Sequence, residues 1–375
     1  MKVLLFANTE WYLFNFRLSL FEALRDNGHE VLLVSPPGSY GQQLVNQGFR
    51  WIPAPMDRMS LNPLREVRLL LWLIRLVKRE RVDLVHGFTV KCAVYGSLAA
   101  RLSGGKARVG AVAGLGYVFA SNDVKARLLR PIVRLMLRLS LGGKRSRLIL
   151  QNPDDVRLFE QFGLVAGDAV RLIRGSGVDL ARFKPRDGVR EDGPFRVVLP
   201  ARLLWDKGVG ELVEAARLLQ SRGRSVEVLL AGKPDSGNPA AVPESDLVGW
   251  QDDGVVRWLG QVDDTPALFQ SVDAVALPTY YREGLPKSLI EAAACALPLI
   301  TTDMPGCREV VTHEVDGLIV PIRDPQALAD AICRLMDNPA LCKRLGDAAR
   351  SKAVVEFDDQ IVIKKTLAVY DELVS

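Results

Sequence analysis

Short runs of β-branched and other apolar residues alternate with longer amphipathic helical patterns along this entire 375-residue chain. Parallel strands need long crossover connections, usually helices, so the alternation predicts βαβ units and parallel sheets. The predicted strands are 2–7, 29–34, 84–88, 108–112 and 147–151 in the first half, and 196–200, 225–231, 255–259, 274–277, 297–301 and 317–320 in the second. Each half is therefore predicted to form one doubly wound α/β sheet.

A polar segment with Gly and Pro but no periodicity separates the two halves. We predict residues 1–178 as a first Rossmann-like domain, 179–194 as a linker, 195–358 as a second Rossmann-like domain, and 359–375 as a C-terminal helix that packs back toward the first. A length of 375 residues agrees with two or three domains. Because ligands of such sheets bind outside the carboxyl ends of the strands, we expect the functional site in a cleft between the two domains.

The net charge of +5 conceals opposite charges on the two halves. Residues 1–180 carry 26 Lys and Arg against 14 Asp and Glu, a net +12, whereas residues 181–375 carry 23 against 30, a net −7. A strongly basic half is typical of a domain that faces nucleic acid, a membrane surface or an acidic substrate. The two predicted domains are therefore expected to have different partners.

Two predicted helices, 64–81 and 124–141, favour a membrane surface as the partner of the basic half. Each carries four arginines on one narrow face and apolar residues around the rest: Arg65, Arg68, Arg75 and Arg79 in one, and Arg127, Arg130, Arg134 and Arg138 in the other. Such a stripe suits a helix that lies on anionic lipid. Packing of the apolar side against the sheet is the alternative, and both can hold together. No nucleic-acid-binding motif accompanies the stripes, so nucleic acid is not an expected partner.

What the chain lacks disfavours several other classes of protein. Its five cysteines are an odd number without a CxxC pair, which is typical of a reduced, cytoplasmic chain. Three histidines and the absence of an Asp-x-Asp motif disfavour a metal centre. No apolar stretch approaches the roughly 18 residues that a membrane span needs. We therefore expect a metal-independent cytoplasmic protein that lies on a membrane without crossing it.

The most specific motif is the segment 281–291, YREGLPKSLIE, directly after an apolar strand. Glu283 lies on the loop, and Glu291 lies two turns away in a helix predicted to begin near Lys287. The Gly-Leu-Pro between them lets bare backbone approach a ligand, and the N–H groups that open the helix can bind a phosphate. Two carboxylates flanking an anion site suit the hydroxyls of two sugars on a diphosphate. The alternative is a capped surface helix with an incidental second glutamate.

Two cations follow the first strand of the second half. Arg202 and Lys207 lie in the segment 200–208, PARLLWDKG, just before a predicted helix. Both cations and the helix N-terminus can bind the same pyrophosphate. The alternative is that Arg202 and Lys207 are two solvated basic residues of a turn. Their position at the carboxyl end of a strand favours the functional interpretation.

Five segments together resemble the retaining GT4 family of glycosyltransferases, which have the GT-B fold: EGLPKSLIE, ARLLWDKG, GVDLARFKP, DDTPALFQSVDAVALPT and PGCREVVTHEVDGLIVP. The resemblance extends over essentially the whole chain and is strongest from Gly175 to Asp324. In the first half, TVKCAVYG and GLGYVF resemble bacterial enzymes that extend lipid-diphosphate-linked O-antigen, capsule or N-glycan precursors. The fold implied is two Rossmann-like domains that face each other across a cleft.

The resemblance implies a role for each candidate residue. Arg202 and Lys207 match the pair that neutralises the departing nucleotide diphosphate. Glu283 matches the carboxylate that holds hydroxyls of the transferred sugar, and Glu291 matches the one that holds the nucleotide ribose. Backbone contacts are implied at further positions: Leu285, Pro286, Lys287, Ser288 and Leu289 around the sugar and phosphates, Leu259 at the base, and Gly116 at the diphosphate.

The resemblance also implies the reaction. A retaining, metal-independent hexosyltransferase would move a sugar from a UDP-sugar co-substrate to a polyprenyl-diphosphate-linked glycan, and the subgroup indicates an N-acetylhexosamine. The enzyme would work as a peripheral protein on the inner face of the cytoplasmic membrane, in bacterial surface polysaccharide or glycan assembly. Two alternatives stay open: a nucleotide-sugar epimerase of the same fold, and a sugar-nucleotide-binding subunit without catalytic activity.

The first half departs from the family pattern. Many members carry a histidine or a glutamate where this chain has Ala113, so the donor diphosphate is the expected proton acceptor. His86 is an alternative base, although a satisfied strand-end histidine is favoured. The segment 9–17, TEWYLFNFR, is predicted as a loop whose aromatic residues stack on acceptor sugars, enter lipid or staple the next helix. Lys91 is either a ligand of an acceptor phosphate or a solvated lysine.

Overall fold

The chain forms two compact units in a computed structural model. The structure describes residues 1–58, 60, 62–113, 124–188, 193–235 and 237–374. The first unit comprises 1–176 together with 360–375, and the second comprises 177–359. The chain therefore passes from one unit to the other twice.

The first unit is built on a sheet of seven parallel strands. These are β1 (Lys2–Phe6), β2 (Glu30–Ser35), β3 (Arg50–Pro53), β4 (Leu84–Phe88), β5 (Ala107–Val112), β6 (Ser146–Leu150) and β7 (Val170–Leu172), in the spatial order β3-β2-β1-β4-β5-β6-β7. The helices between them are α1 (Glu10–Asp26), α2 (Tyr40–Asn46), α3 (Pro63–Arg79), α4 (Thr89–Leu102), α5 (Val124–Leu141) and α6 (Pro153–Gln161). Strands β4 and β5 are buried over their whole length, as expected for central parallel strands with helices on both faces.

The second unit is built on a sheet of six parallel strands. These are β8 (Phe195–Pro200), β9 (Val226–Ala231), β10 (Arg257–Gly260), β11 (Ala274–Leu277), β12 (Leu299–Thr302) and β13 (Gly317–Val320), in the order β10-β9-β8-β11-β12-β13. Its helices are α7 (Val209–Ser221), α8 (Glu244–Asp252), α9 (Thr265–Gln270), α10 (Lys287–Ala294), α11 (Cys307–Val310), α12 (Pro325–Asp337) and α13 (Pro339–Lys352). Both sheets change their direction of growth beside their first strand, between β1 and β4 and between β8 and β11. These are the switch points at which doubly wound sheets bind ligands.

Several helices of the second unit begin where the local sequence supplies a cap. The side chains of Asp264, Asp324 and Asn338 accept hydrogen bonds of 3.0, 2.9 and 2.9 Å from the backbone N–H three residues further on. A proline stands in the first turn of each of these helices, where its missing N–H is not needed. The sequence therefore determines the starts of α9, α12 and α13 locally.

The last helix, α14 (Asp359–Val374), belongs to the first unit from Gln360 onward. The hydroxyl of its buried Tyr370 lies 2.6 Å from Nδ1 of His86 on β4. Its Glu372 pairs with Arg147 at 2.8 Å and with Arg171 at 2.5 Å. A core hydrogen bond and an ion-pair cluster thus attach the end of the chain to the first sheet.

One sequence prediction about the first unit is wrong. The segment 9–17 is not a loop but the cap and first turns of α1, because the Thr9 side chain accepts a 3.1 Å hydrogen bond from the backbone N–H of Tyr12. Side chains four residues apart share a helix face. The rings of Tyr12 and Phe16 accordingly stack with centroids 5.1 Å apart. Of the helices in the described ranges, none combines the length and apolarity needed to cross a bilayer.

Candidate active site

The loops that follow β8 and β11 meet at the switch point of the second sheet. The first loop carries Arg202 and Lys207, the second carries Glu283, and α10 begins at Lys287 and carries Glu291. The topology therefore places the four charged residues singled out by the sequence at one edge of the sheet. This is the edge where ligands of such sheets bind.

Backbone contacts hold these two loops against each other. The carbonyl oxygen of Asp206 accepts hydrogen bonds from the N–H groups of Tyr280 and Tyr281, at 2.9 and 3.2 Å, and from the hydroxyl of Thr279, at 2.8 Å. Gly208 has a φ of +79°, and a Cβ atom there would lie 2.3 Å from the carbonyl oxygen of Pro278. The approach is so close that only glycine fits.

Lys207 and Glu283 form a salt bridge within the site. Their side chains are only 12% and 15% exposed, and the Tyr281 ring centroid lies 5.5 Å from Lys207 Nζ. Burial, and then the nearby Arg202 guanidinium, lower the pKa of Lys207 to about 8. A lysine with this pKa is still largely charged at neutral pH, which agrees with the salt bridge.

Arg202 is held from a different direction. Its Nη1 lies 2.6 Å from Oδ2 of Asp235, which follows β9, and its side chain is 55% exposed. The backbone of the loop that follows β9 runs beside the backbone of the Arg202 loop, since the Leu203 N–H donates to the Lys233 carbonyl at 3.0 Å. Arg202 thus presents an accessible guanidinium whose direction is set by a carboxylate that the sequence did not single out.

Gly306 supports the loop that carries Glu283. It has a φ of +88°, and a Cβ atom there would lie 2.8 Å from the carbonyl oxygen of Gly284 and 2.9 Å from Cβ of Glu283. The backbone N–H of Glu283 also donates to the Pro305 carbonyl at 3.3 Å. The PG pair at 305–306 therefore fixes the backbone beneath the carboxylate.

Helix α10 begins without a side-chain cap, since its N-cap residue is Pro286. Leu285, Pro286 and Leu289 are buried, whereas Lys287 and Ser288 are partly exposed. An uncapped helix start with its positive end at a ligand edge suits an anion. The predicted backbone cradle thus lies at the end of a helix whose dipole favours a phosphate.

Glu291 lies on the second turn of α10. Its Oε1 is 3.9 Å from Lys287 Nζ, and burial raises the pKa of its carboxyl above the ordinary value. Leu259 is partly buried on the neighbouring part of the sheet, in β10, where the Trp258 indole N–H donates to the Gly232 carbonyl at 2.9 Å. Gly116, the remaining predicted contact, lies outside the described residues.

In the first unit, the contacts of Lys91 contradict both interpretations of this residue. Its Nζ donates to the carbonyls of Asp57 and Ser60, at 2.8 and 3.2 Å, and to Oε1 of Glu66, at 2.8 Å. All three ammonium protons are therefore used within the protein. Lys91 is neither a solvated lysine nor a free phosphate ligand, but holds the segment that leads into α3.

His86 and Ala113 offer no catalytic base. His86 is buried in the middle of β4, where burial lowers its pKa well below the ordinary value and Nδ1 is engaged with Tyr370. It is a core histidine, but not the satisfied strand-end histidine of the favoured interpretation, because its buried Nε2 has no hydrogen-bond partner among the described residues. Ala113 is exposed at the end of β5 and has no group that can take a proton.

Known proteins share both halves of this architecture. Residues 2–152 match the family model described as glycosyl transferase 4-like, and residues 194–338 match that of the glycosyl transferases group 1. Anabaena HepE, solved in complex with UDP and glucose, superposes with a TM-score of 0.79 at 19% identity over 99% of each chain. Two doubly wound domains of this kind define the GT-B fold.

Two relatives resemble the chain over nearly its full length. It is 27% identical to the N,N'-diacetylbacillosaminyl-diphospho-undecaprenol alpha-1,3-N-acetylgalactosaminyltransferase of Campylobacter jejuni, over 96% of both chains. It is 25% identical to the UDP-Gal:alpha-D-GlcNAc-diphosphoundecaprenol alpha-1,3-galactosyltransferase of Escherichia coli, over 96% of this chain and 93% of that one. The chain belongs to the group 1 glycosyl transferases, and its first half matches the glycosyl transferase 4-like model. It is therefore a glycosyltransferase.

Proposed function

We propose that this enzyme transfers a sugar from a UDP-sugar to a polyprenyl-diphosphate-linked glycan, with retention of the anomeric configuration. The observation that carries the donor half is the convergence of Arg202, Lys207, Glu283 and the start of α10 at one switch point. The two relatives above are named for acceptors linked to undecaprenyl diphosphate, and one of them is named for a UDP-sugar. The first of these names also supports an N-acetylhexosamine as the sugar transferred.

In the proposed mechanism the bond between the anomeric carbon and the diphosphate oxygen breaks. Arg202 and Lys207 neutralise the charge that develops on the departing diphosphate. Glu283 accepts hydrogen bonds from sugar hydroxyls, and Glu291 from the ribose. The acceptor oxygen bonds to the same face of the anomeric carbon, and its proton passes to a diphosphate oxygen, because Ala113 supplies no base. The products are UDP and the extended lipid-linked glycan.

We propose that the two cations perform the charge neutralisation that a divalent metal supplies in other transferases. Within the described ranges, no three His, Cys, Asp or Glu side chains are placed to hold a metal ion. Arg202 and Lys207 both lie on the loop that follows β8, at the candidate diphosphate position. Transfer should therefore continue in the presence of a chelator, and a loss of activity that Mg²⁺ or Mn²⁺ restores would contradict this part.

The pKa of Lys207 predicts a pH dependence. Because that pKa is lowered to about 8, the free enzyme loses this cation as the pH rises through about 8, and kcat/KM for the donor should fall there. The stability of the fold should change in the opposite direction. Between a pH of about 8 and the ordinary lysine pKa, the unfolded chain still binds the proton that the folded chain has lost. The contribution of Lys207 to the free energy of unfolding therefore rises with pH above about 8. Lys207→Arg, whose guanidinium stays charged, should move the fall in kcat/KM to higher pH. An unchanged profile in this variant would contradict the assignment.

The outer faces of α3 and α5 support a location at the membrane surface, which is part of the proposal. On α3, Leu69 and Leu73 are buried against the first unit, whereas Leu64 is 81% exposed and Leu71 is also exposed. The other exposed side chains of these faces are Val67, Arg68, Arg75 and Lys78 on α3, and Arg127, Ile132, Leu135, Arg138 and Leu139 on α5. The buried side of α3 forms core, and the exposed leucines among cations on its other side support the proposed contact with an anionic bilayer.

The membrane face predicts selective binding to vesicles. The triple variant Arg68→Gln, Arg75→Gln and Lys78→Gln should bind phosphatidylglycerol vesicles about 100-fold more weakly, since each cation near the surface contributes about 1 kcal/mol. Cosedimentation measures this. The matched control removes three exposed cations elsewhere: Arg217→Gln, Lys364→Gln and Lys365→Gln. An equal loss of vesicle affinity in both triple variants would contradict a membrane-binding face on α3.

The proposed reaction is tested by incubating the purified enzyme with a panel of UDP-sugars. The acceptors would be GlcNAc-diphospho-undecaprenol and N,N'-diacetylbacillosaminyl-diphospho-undecaprenol, and the products would be analysed by mass and by anomeric NMR. A lipid-linked product with an α linkage is expected. UDP release without a glycosylated lipid, or conversion of the UDP-sugar into its epimer, would contradict the proposal.

A further inference from the structure

One arginine of the second unit has a backbone conformation that residues with a side chain rarely adopt. Arg323 lies in the turn between β13 and α12 with a φ of +56°, in the left-handed region. This conformation is unfavourable for residues other than glycine, because the Cβ atom crowds the backbone. Strained residues of this kind cluster at functional sites, so the outlier indicates a task for the arginine side chain.

The side chain of Arg323 stacks on one aromatic ring. Its Cζ atom lies 4.5 Å from the ring centroid of Tyr280, in the loop that follows β11. Arg323 is exposed, and no carboxylate in the described ranges forms a salt bridge with it. A cation over an aromatic face is attracted by the quadrupole of the ring. The contact with Tyr280 is thus the interaction that holds this guanidinium.

Tyr280 lies between the loop that follows β8 and the start of α7. Its backbone N–H donates to the Asp206 carbonyl at 2.9 Å, one residue before Lys207. Burial, and then the nearby carboxylates of Glu211 and Asp206, raise the pKa of its hydroxyl, so the ring stays neutral at physiological pH. Glu211 belongs to the first turn of α7, directly after the loop of Lys207. A single tyrosine therefore connects Arg323 to that loop.

Arg323 approaches from a strand that carries none of the charged residues of the candidate site. β13 is an edge strand of the second sheet, separated from β11 by β12. Because these strands are parallel, the turn after β13 lies at the same edge of the sheet as the loop of Glu283. Asp235, which orients Arg202, follows β9 on the other side of β8 and β11. The two site loops are thus held from both sides.

We propose that Arg323 is a positioning residue for the sugar transfer. By holding the Tyr280 ring, it fixes the backbone contact between Tyr280 and Asp206, and with it the approach of Lys207 to the departing diphosphate. Arg323 acts through Tyr280 and touches neither the sugar nor the diphosphate. A displacement of 1 Å in a site group can lower a rate strongly, so the contact matters more to the reaction than to the fold. This inference rests on the UDP-sugar half of the proposed function.

Arg323→Gly tests the contact because it removes the guanidinium and relieves the strained backbone together. We expect kcat to fall about tenfold, while the melting temperature stays within roughly 3 °C of the wild type. The donor KM should hardly change, since Lys207 stabilises charge that develops in the transition state. Arg323→Lys, which keeps a cation over the ring, should retain most of the wild-type kcat.

The matched control is Arg81→Gly. Arg81 is also an exposed arginine with a positive φ, +52°, and lies in the turn after α3, in the first unit. Its variant relieves the same kind of backbone strain and should leave kcat unchanged. UDP formation measures the rates, with GlcNAc-diphosphate on a short prenyl chain as the acceptor.

Variants of Tyr280 test the route by which Arg323 acts. Tyr280→Phe keeps the aromatic ring and should keep kcat, whereas Tyr280→Leu should lose about as much activity as Arg323→Gly. The double variant Arg323→Gly with Tyr280→Leu should lose no more than either single variant, because each removes the same contact.

The outcomes separate this inference from the proposed function. A wild-type kcat in Arg323→Gly, or additive losses in the double variant, overturns the role of Arg323. A melting temperature that falls with kcat in Arg323→Gly but not in Arg81→Gly does the same, because the arginine is then purely structural. UDP formation without a glycosylated lipid contradicts the proposed acceptor alone, since UDP still compares the variants. A wild type that forms no UDP from any UDP-sugar overturns the proposed donor and the role of Arg323 together.

Discussion

Lys207→Met is expected to lower kcat at least a hundredfold. Removal of one preorganised group that stabilises developing charge commonly costs a factor of 100 to 1,000. Lys207 is a strong case because it is buried and fixed by its contact with Glu283. Steady-state kinetics at saturating donor measure the effect, and Lys343→Met, which removes an exposed lysine of the same unit, should leave kcat unchanged.

The Lys207 variant also removes the salt bridge of the largely buried Glu283. Breaking a buried pair on one side can cost roughly 3 kcal/mol of stability, so a lower melting temperature is expected as well. The double variant Lys207→Met with Glu283→Gln should recover much of that stability, because both charges of the salt bridge are then removed together, yet stay inactive. Recovery of activity together with stability would show that Lys207 acts only through folding.

Gly208→Ala is expected to destabilise the protein by about 2–4 kcal/mol. The substitution combines a left-handed backbone with a Cβ atom only 2.3 Å from the carbonyl oxygen of Pro278, a backbone atom that has little freedom to move. Thermal unfolding measures it. Gly223→Ala is a matched control, since Gly223 has a φ of +66° but nothing within 4 Å of an added Cβ, and should cost only about 1 kcal/mol.

Equal melting temperatures for the Gly208 and Gly223 variants would contradict the close approach of the two site loops. The close approach of Gly208 to the Pro278 carbonyl has a second measurable consequence. Because Gly208 holds the loop of Lys207 against that of Glu283, its variant should also lose donor affinity, whereas the Gly223 variant should not.

The parallel sheets were predictable because their central strands are short, continuous apolar runs. The strands that the sequence missed, β3 and β7, lie at the two edges of the first sheet and are only half-buried. An edge strand needs little apolar character, so its pattern is weak. The start of α1 was missed for another reason. Its aromatic residues obscured a local signal that was present, a threonine cap followed by an acidic first turn.

The shared location of Arg202, Lys207 and Glu283 was predictable, because strand-to-helix loops at one edge of a doubly wound sheet must lie near each other. The residues that hold these side chains in place could not be predicted. Asp235 reaches Arg202 from a loop 33 residues away, and Gly306 lies beneath Glu283 through backbone contacts that no side-chain pattern records. Such contacts depend on tertiary packing rather than on local sequence.

The transferred sugar itself gives the most direct test of the proposed reaction. Wild-type enzyme, Lys207→Met and Glu283→Gln would each be incubated with a radiolabelled UDP-sugar and GlcNAc-diphospho-undecaprenol, and the label in the lipid fraction measured over time. We expect the wild type to move the label into lipid and both variants to do so at least a hundredfold more slowly. Label transferred at wild-type rates by both variants, or label that never enters the lipid fraction with any sugar, would contradict it.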